Sequence, residues 1–305
     1  MRISVLVSMY NEEKNILGCI DSIMKNKYQD FEVIIGVDDG QDRTHEIALD
    51  LEKKYNNLRV FHSPKQIGIT AMFKNMLAIS SGDIIVKFDA DHMFSFPEVA
   101  LEKIVRHFDN PKIGGIGIIY ENIGYCNEET QEFVKRIKEE TLVTRGFTVI
   151  DNVVDAFKLN WGVIKEIPDF QIHIDSFRKS AIKDLDMAMI HDDAVFAYTV
   201  LESGYYIEPA PDVGVIHIGI PATFKKAYRR FMKGHLGWRQ IDEKYPLDMK
   251  KYYWNLAKIY SKMIWKYDYK YVLGSFIYLF AMFSSLALSK FKKSTIQEAW
   301  SKKWR

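Results

Sequence analysis

Short β-branched runs that alternate with amphipathic segments constrain this chain more than any other feature. Ile3-Ser4-Val5-Leu6-Val7 has the near-continuous apolar character of a strand covered on both faces. From Asn11 to Lys25, Ile16, Leu17, Ile20, Ile23 and Met24 recur at helical spacing. A second strand is predicted from Phe31 to Val37, and a helix from Thr44 to Tyr55 with Ile47, Ala48, Leu51 and Tyr55 on one face. A third strand from Leu58 to His62, a helix from Thr70 to Ser80 and a fourth strand from Asp83 to Asp89 continue the series. This order predicts βαβ units, and hence an α/β fold with a mixed, mostly parallel sheet between helices. Such sheets bind ligands beyond the carboxyl ends of their strands. Asn11-Glu12, Asp38-Asp39 and Asp89-Ala90-Asp91 stand at three of those ends, so three polar clusters are expected to line one crevice.

The crevice is not built like the common nucleotide sites. After the first strand, Ser8-Met9-Tyr10-Asn11-Glu12 occupies the place of a dinucleotide-binding Gly-x-Gly-x-x-Gly. The sequence holds no Gly-x-x-x-x-Gly-Lys-Ser/Thr run, and no glycine- and arginine-rich loop of the nucleotidyltransferase kind. With no glycine cradle, the acidic side chains must meet phosphate through a divalent cation. Mg²⁺ or Mn²⁺ takes hard oxygen ligands, few of them from protein, with diphosphate oxygens and water completing the shell. Asp89 and Asp91, one residue apart at a strand end, suit that role. The structural alternative is a solvated turn leading into a helix that starts near Ser95, Pro97 and Glu98.

Taken in order, four segments resemble successive blocks of family-2 glycosyltransferases with the A-type fold. They are Ser4 to Glu12, Val37-Asp38-Asp39-Gly40-Gln41-Asp42-Arg43-Thr44, Gly68 to Asn75, and Ser81 to Asp91. The resemblance covers roughly residues 1–220 and implies a nucleotide-sugar donor. It implies that Tyr10, Glu12 and Asp38 contact the nucleoside, that Asp39 supports the turn beside them, and that Lys74 and Asn75 line the donor pocket. It gives Asp89 to the ribose or the metal, and makes Asp91 the main metal ligand. His191-Asp192-Asp193-Ala194 resembles the family's acidic pair at a helix start, which makes Asp193 the base for the acceptor hydroxyl and leaves Asp192 a structural role. A sugar hydroxyl is a weak nucleophile, so a carboxylate within hydrogen-bond reach assists its attack. N-capping of the following helix is the bland reading of this pair, and the two are compatible.

His217, at the end of Val213-Gly214-Val215-Ile216-His217, is a further candidate for metal or phosphate, with a structural histidine as the alternative. His62, His92, His173 and His191 take the structural reading. Tyr228-Arg229-Arg230-Phe231-Met232-Lys233 loosely resembles the family's Gln-x-x-Arg-Trp element, giving Arg230 and Lys233 to the diphosphate. The sequence departs from the family pattern in several places. Ser8-Met9 replaces a proline, Gln41 replaces a serine, and the Gly68 to Asn75 spacing is one residue longer. Ala227 and Phe231 replace glutamine and tryptophan, which speaks against a processive polysaccharide synthase.

The net charge of +2 over 305 residues hides a division. Residues 223–305 carry 19 Lys/Arg against 5 Asp/Glu, whereas residues 1–222 carry 23 against 35. Five of the six tryptophans (Trp238, Trp254, Trp265, Trp300 and Trp304) lie in the basic part. A catalytic domain over 1–222 and a basic, aromatic helical region over 223–305 are expected, joined near Pro221. Tyr271 to Ser289 holds no charge and would form a helix ~28 Å long, close to the ~30 Å of a bilayer's hydrocarbon core. A single span would carry Lys290, Lys292, Lys293, Lys302, Lys303 and Arg305 away from a cytosolic body, against the positive-inside tendency. Between Pro246 and Lys270, apolar positions and lysines share a helix in the manner of an interfacial segment. A pair of helices on the cytoplasmic leaflet, anchored by Trp300 and Trp304, is therefore expected, with a buried helix or oligomer contact as the alternative. No nucleic-acid signature accompanies the basic charge. Two cysteines, Cys19 and Cys126, and no cleavable leader pattern fit a reducing compartment.

The sequence thus predicts an inverting, metal-dependent glycosyltransferase at the cytoplasmic face of the cell membrane. Its acceptor would be a lipid-linked or other membrane-associated glycan, and the chain is open to acting as an oligomer. The rivals are a polyprenyl-phosphate sugar synthase and a non-catalytic sugar-nucleotide-binding protein.

Overall fold

The computed structural model describes residues 1–120, 128, 131–132, 140–182, 192–218 and 220–289, with the side chains of Asp192 and Ser289 outside that description. Cys126, His191, Trp300, Trp304 and the basic residues from Lys290 onward, singled out above, lie outside the described residues.

The amino-terminal half alternates as its periodicity predicts. β1 (Ile3–Met9), α1 (Ile16–Met24), β2 (Phe31–Val37), α2 (Thr44–Lys54), β3 (Leu58–His62), α3 (Ile69–Ile79) and β4 (Ile84–Asp89) follow in order. Next come β5 (His92–Phe94), α4 (Ala100–His107), β6 (Ile113–Tyr120), α5 (Leu142–Leu159), β7 (Ser176–Arg178), α6 (Asp192–Glu202) and β8 (Tyr206–His217). α7 (Phe224–Lys244), α8 (Met249–Met263) and α9 (Tyr269–Ser289) close the described chain. The strands form one sheet in the order β3-β2-β1-β4-β7-β6-β8-β5. β3, β2, β1 and β4 are mutually parallel, as are β6 and β8, while β7 and β5 run antiparallel to their neighbours.

The continuous apolar runs have the expected cause: β2 is buried along its whole length and β1 at all but Ser8. One face of the sheet packs on α1, α2 and α4 through residues such as Ile20, Leu51 and Ile104. The other packs on α3 and α6 through Phe73, Phe196 and Tyr198, joined by Trp238 and Ile241 of α7. Burying each such side chain contributes ~1.5–3 kcal/mol. A charged group is also enclosed. Glu32 of β2 accepts from Ser4, Ser81 and Arg59. Burial alone would raise its pKa, but these bonds hold it at about 2.

α1 starts at Ile16 rather than at Asn11. Asn11 has φ +56°, a left-handed conformation that breaks a helix, and its Oδ1 accepts the Gln41 N–H at 2.8 Å. Residues 11–15 thereby become a loop at the sheet's carboxyl edge. At the other end of the chain, α9 crosses α5 closely enough that a Cβ on Gly274 would stand 2.1 Å from the Leu142 carbonyl oxygen. Tyr278 and Ala281 of α9 share a small apolar cluster with Val143 and Phe147 of α5 and Ala227 of α7. The carboxyl-terminal helices therefore cover the body rather than trail from it.

Candidate active site

The site grows from the turn between β4 and β5. β4 ends at Asp89, and Asp91 accepts the Ile218 N–H on its carbonyl at 2.7 Å, which brings the start of β5 against the end of β8. The antiparallel register then sets His92 opposite His217. Paired positions share a sheet face, and the two imidazoles lie edge to face with centroids 4.7 Å apart. His217 Nε2 is 3.0 Å from Asp91 Oδ2, and His92 Nε2 is 3.9 Å from Asp91 Oδ1. Donor atoms of Asp91, His92 and His217 all lie within 4.8 Å of one another.

The electrostatics suit a cation. Burial would raise the Asp91 carboxyl, but His217, with His92 and Arg230, holds it well below the usual carboxylate range. Burial, followed by the neighbouring His217, pushes His92 down to about 4, so its ring is neutral at physiological pH. One carboxylate and two imidazoles are a chemically sound donor set for a divalent ion, and a softer one than Mg²⁺ normally takes.

Asp89 is not part of that group. Lys87, buried on β4 between Val86 and Phe88, places Nζ 3.1 Å from Asp89 Oδ1 and 2.6 Å from Asp193 Oδ1. Asp193 stands in the first turn of α6. One cation thus holds together two carboxylates from segments a hundred residues apart in the sequence.

Of these groups, Lys87, Asp89, Asp91, Asp193 and His217 line a cavity of about 450 Å³, within the usual range for small-ligand sites. Asp89, Asp91, Asp193, His217, Arg230 and Lys233 are among its polar lining, with Lys87, Gln171 and His235. Trp238, Tyr252, Tyr253, Leu256 and Met282, from α7, α8 and α9, form an aromatic and apolar part. The Arg230 guanidinium lies 5.0 Å from the Phe147 ring centre, and Phe147 lies 5.2 Å from His217.

The other residues expected at the donor are placed beside this cavity or further off, and none of them is in its wall. Glu12, half-buried, feels Asp91 and Asp89. Burial first and then Asp91 raise it to about 8, although Asn15 donates to it at 2.7 Å. Asp38 is buried, and its two oxygens accept the N–H groups of Ile67 at 2.9 Å and Gly68 at 3.0 Å. Its carboxylate shapes the loop before α3, where Gly68 takes φ +83°. Asp39 and Lys74 are exposed, while Tyr10 and Asn75 are half-buried.

Lys87 is a site group that the sequence reading left unassigned, and His92 is one that it read as structural. The β5–β8 register, invisible in sequence, sets His92 against His217 and beside Asp91. Lys87 did leave a signal: a lysine in the middle of an apolar strand needs a buried anion. Lys158 of α5 is wholly enclosed, with Nζ 2.5 Å from the Ile118 carbonyl oxygen and 3.9 Å from Asp155 Oδ1. Burial raises Asp155 to about 8, and it raises Asp175, which accepts the Ile118 N–H. No local motif marks these three.

Comparison with known proteins bears on the family and the fold. The family model described as glycosyl transferase family 2 matches residues 4–167. Glycosyltransferase AglE of Haloferax volcanii is 26% identical over 178 residues, 56% of this chain and 57% of that protein. Dolichol-phosphate mannosyltransferase of Pyrococcus furiosus is 26% identical over 158 residues, 51% of this chain and 43% of that protein. The chain thus spans about half the length of these curated relatives. Among solved structures, the mannosyltransferase PcManGT from Pyrobaculum calidifontis, in complex with GDP-Man and Mn²⁺, superposes with a TM-score of 0.56 at 17% identity. That match covers 96% of this chain and 76% of that one. TarS of S. aureus gives a TM-score of 0.51 at 17% identity, covering 77% and 40%. The mixed, mostly parallel sheet with its helices is the glycosyltransferase A-type fold.

Proposed function

The chain belongs to glycosyl transferase family 2, and from that membership we propose that it moves one sugar from a nucleotide-sugar donor to a membrane-associated, lipid-linked glycan acceptor, with inversion at the anomeric carbon. The observation that carries the reading is the convergence of Asp89, Asp91 and Asp193 on one cavity that also holds Arg230 and Lys233. Asp91, His217 and His92 would hold a divalent cation, Mn²⁺ in preference to Mg²⁺ given two imidazoles in the set. When bound, it supplies positive charge against the diphosphate of the donor.

The chain's own residues do the rest. Arg230 and Lys233 pair with phosphate oxygens and orient the diphosphate. Asp89, steadied by Lys87, faces the ribose. Tyr10, Glu12, Asp39, Lys74 and Asn75 surround the nucleoside beyond the ends of β1 and β2, with Asp38 shaping the Ile67–Gly68 turn that closes on it. Asp193 accepts the proton of the acceptor hydroxyl as its oxygen bonds to the anomeric carbon and the bond to the diphosphate breaks. Attack opposite the leaving group inverts the configuration. Residues 1–222 form the catalytic domain in this reading, and residues 223–305 hold it at the cytoplasmic face of the membrane.

A second reading has its own support. Lys87 Nζ sits 2.6 Å from Asp193 Oδ1, so that carboxylate already has a cationic partner. A polyprenyl-phosphate acceptor is already ionised and needs no base. Transfer assays on Asp91→Asn and Asp193→Asn, with folding checked by circular dichroism, separate the cases. Loss in both supports a hydroxyl acceptor, and loss in Asp91→Asn alone supports a phosphate acceptor. Full activity in both removes the mechanism.

A further inference from the structure

α9 presents two faces of opposite fate. Gly274, Ser275, Tyr278, Ala281, Met282 and Ser285 are buried, and they recur at the spacing of one helical face. This face is fastened to the body along its length. Gly274 meets α5 at backbone contact, Tyr278 lies 4.7 Å ring to ring from Phe231, and His235 Nε2 donates to the Met282 carbonyl at 3.1 Å. On the opposite face, Leu273, Phe276, Phe280 and Phe283 are 49%, 57%, 67% and 53% exposed. A helix that crossed a bilayer would have to shed its packing on α5 and α7, whereas the exposed stripe alone is what a helix lying in the interface needs.

We propose that α9 is a monotopic docking element: its outer stripe enters the headgroup region of an anionic bilayer while its inner face stays on the catalytic body. Charge complementarity selects this occupant. Residues 223–305 carry 19 Lys/Arg against 5 Asp/Glu. Exposed lysines also stand beside the exposed aromatics: Lys258 Nζ lies 5.4 Å from the Trp254 ring centre, and Lys270 Nζ 5.9 Å from that of Tyr269. Trp254 and Trp265 are 64% and 87% exposed. Anionic headgroups attract such lysines, and tryptophan and tyrosine settle at headgroup depth. The stripe also borders the cavity. Met282, next to Phe283, is in the cavity wall, and so is Tyr253, whose ring centre lies 6.5 Å from that of Phe283. Docking on this face brings the apolar part of the cavity to the lipid, where an acceptor with a hydrocarbon tail resides.

This deepens the membrane-associated reading above, but its test needs no turnover. The full chain is sedimented with vesicles of phosphatidylglycerol and phosphatidylcholine, and with phosphatidylcholine alone. Binding to the anionic vesicles is expected to weaken with salt and to be released by an alkaline carbonate wash, which a spanning helix resists. The variant Phe276→Ser/Phe280→Ser/Phe283→Ser is expected to bind at least tenfold more weakly at an unchanged melting temperature. Four results overturn the proposal. They are no binding by the unaltered chain, equal binding by the variant, resistance to the wash, or a dimer in solution that the variant converts to monomer, which would make the stripe an interface between copies. If the triple variant fails to fold, Trp254→Ser/Trp265→Ser, at positions exposed beyond the helix packing, takes its place with the same expected loss. Failure of the sugar-transfer reading leaves all of these results unchanged.

Discussion

Replacing Gly274 by alanine tests the fastening of α9 to the body. The added Cβ would stand 2.1 Å from the Leu142 carbonyl oxygen and 2.8 Å from the Gly146 nitrogen. Carbon and oxygen approach no closer than ~3.3 Å in ordinary contacts, so the two helices must part by about 1 Å. Both colliding atoms are backbone, and no rotamer change relieves them. Overpacking of this kind costs ~1–3 kcal/mol. The gain in helix propensity from glycine to alanine is ~1 kcal/mol in the other direction. Gly274→Ala should therefore be destabilised by up to ~2 kcal/mol, where an uncrowded helical glycine would gain stability. Gly234 of α7 is the control, because a Cβ there meets nothing within 4 Å. Gly234→Ala should be stabilised by ~0.5–1 kcal/mol. Gly146→Ala collides with Gly274 at the same crossing, so the double variant Gly146→Ala/Gly274→Ala should cost less than the sum of the singles. Urea unfolding followed by circular dichroism reads all four. A Gly274→Ala protein as stable as Gly234→Ala would refute the close crossing, and with it the fixed placement of the aromatic stripe.

Two further outcomes follow from the buried charges. Asp155 has a folded pKa of about 8, above its unfolded value of ~3.9, so between these values the unfolded chain ionises it while the folded protein keeps it protonated. Its burial thus favours folding less and less as pH rises from ~4 to ~8, and Asp155→Asn should gain stability relative to the parent over that window; parallel profiles in urea would contradict the burial argument. Lys87→Met leaves Asp89 and Asp193 without their shared cation, which should cost ~1–3 kcal/mol after allowance for carboxylates that are about a third exposed. Lys87→Arg should recover most of that loss, and equal loss in the two variants would show that the pairing is not what matters.

Local periodicity made the amino-terminal half of the fold legible. Strands β1 to β4 and their helices fall where apolar spacing puts them, because each is settled by residues within a few turns. The start of α1 was not legible, since the left-handed Asn11 answers to Gln41, thirty positions on. The carboxylates at strand ends could be read in the same way, for a strand's end is a local feature. The place of His92 depends on a strand register formed with residues 215–217, and the Lys87–Asp193 contact on packing across the sheet. Asp38 shows the converse: an acidic residue in a recognisable block has its carboxylate engaged by the backbone of Ile67 and Gly68. The hydropathy of residues 271–289 was plain, but only the packing of α9 on α5 and α7 divides that segment into an inner and an outer face.

The proposed function requires Asp91, His92 and His217 to hold a divalent cation that meets the donor's diphosphate. Titration of Mn²⁺ into the full chain, followed by electron paramagnetic resonance with and without GDP or UDP, tests this directly. One bound ion is expected, held more tightly with nucleotide present, lost in Asp91→Asn and kept in Asp193→Asn. Nucleotide binding of equal strength without Mn²⁺, or an ion retained in Asp91→Asn, would contradict it.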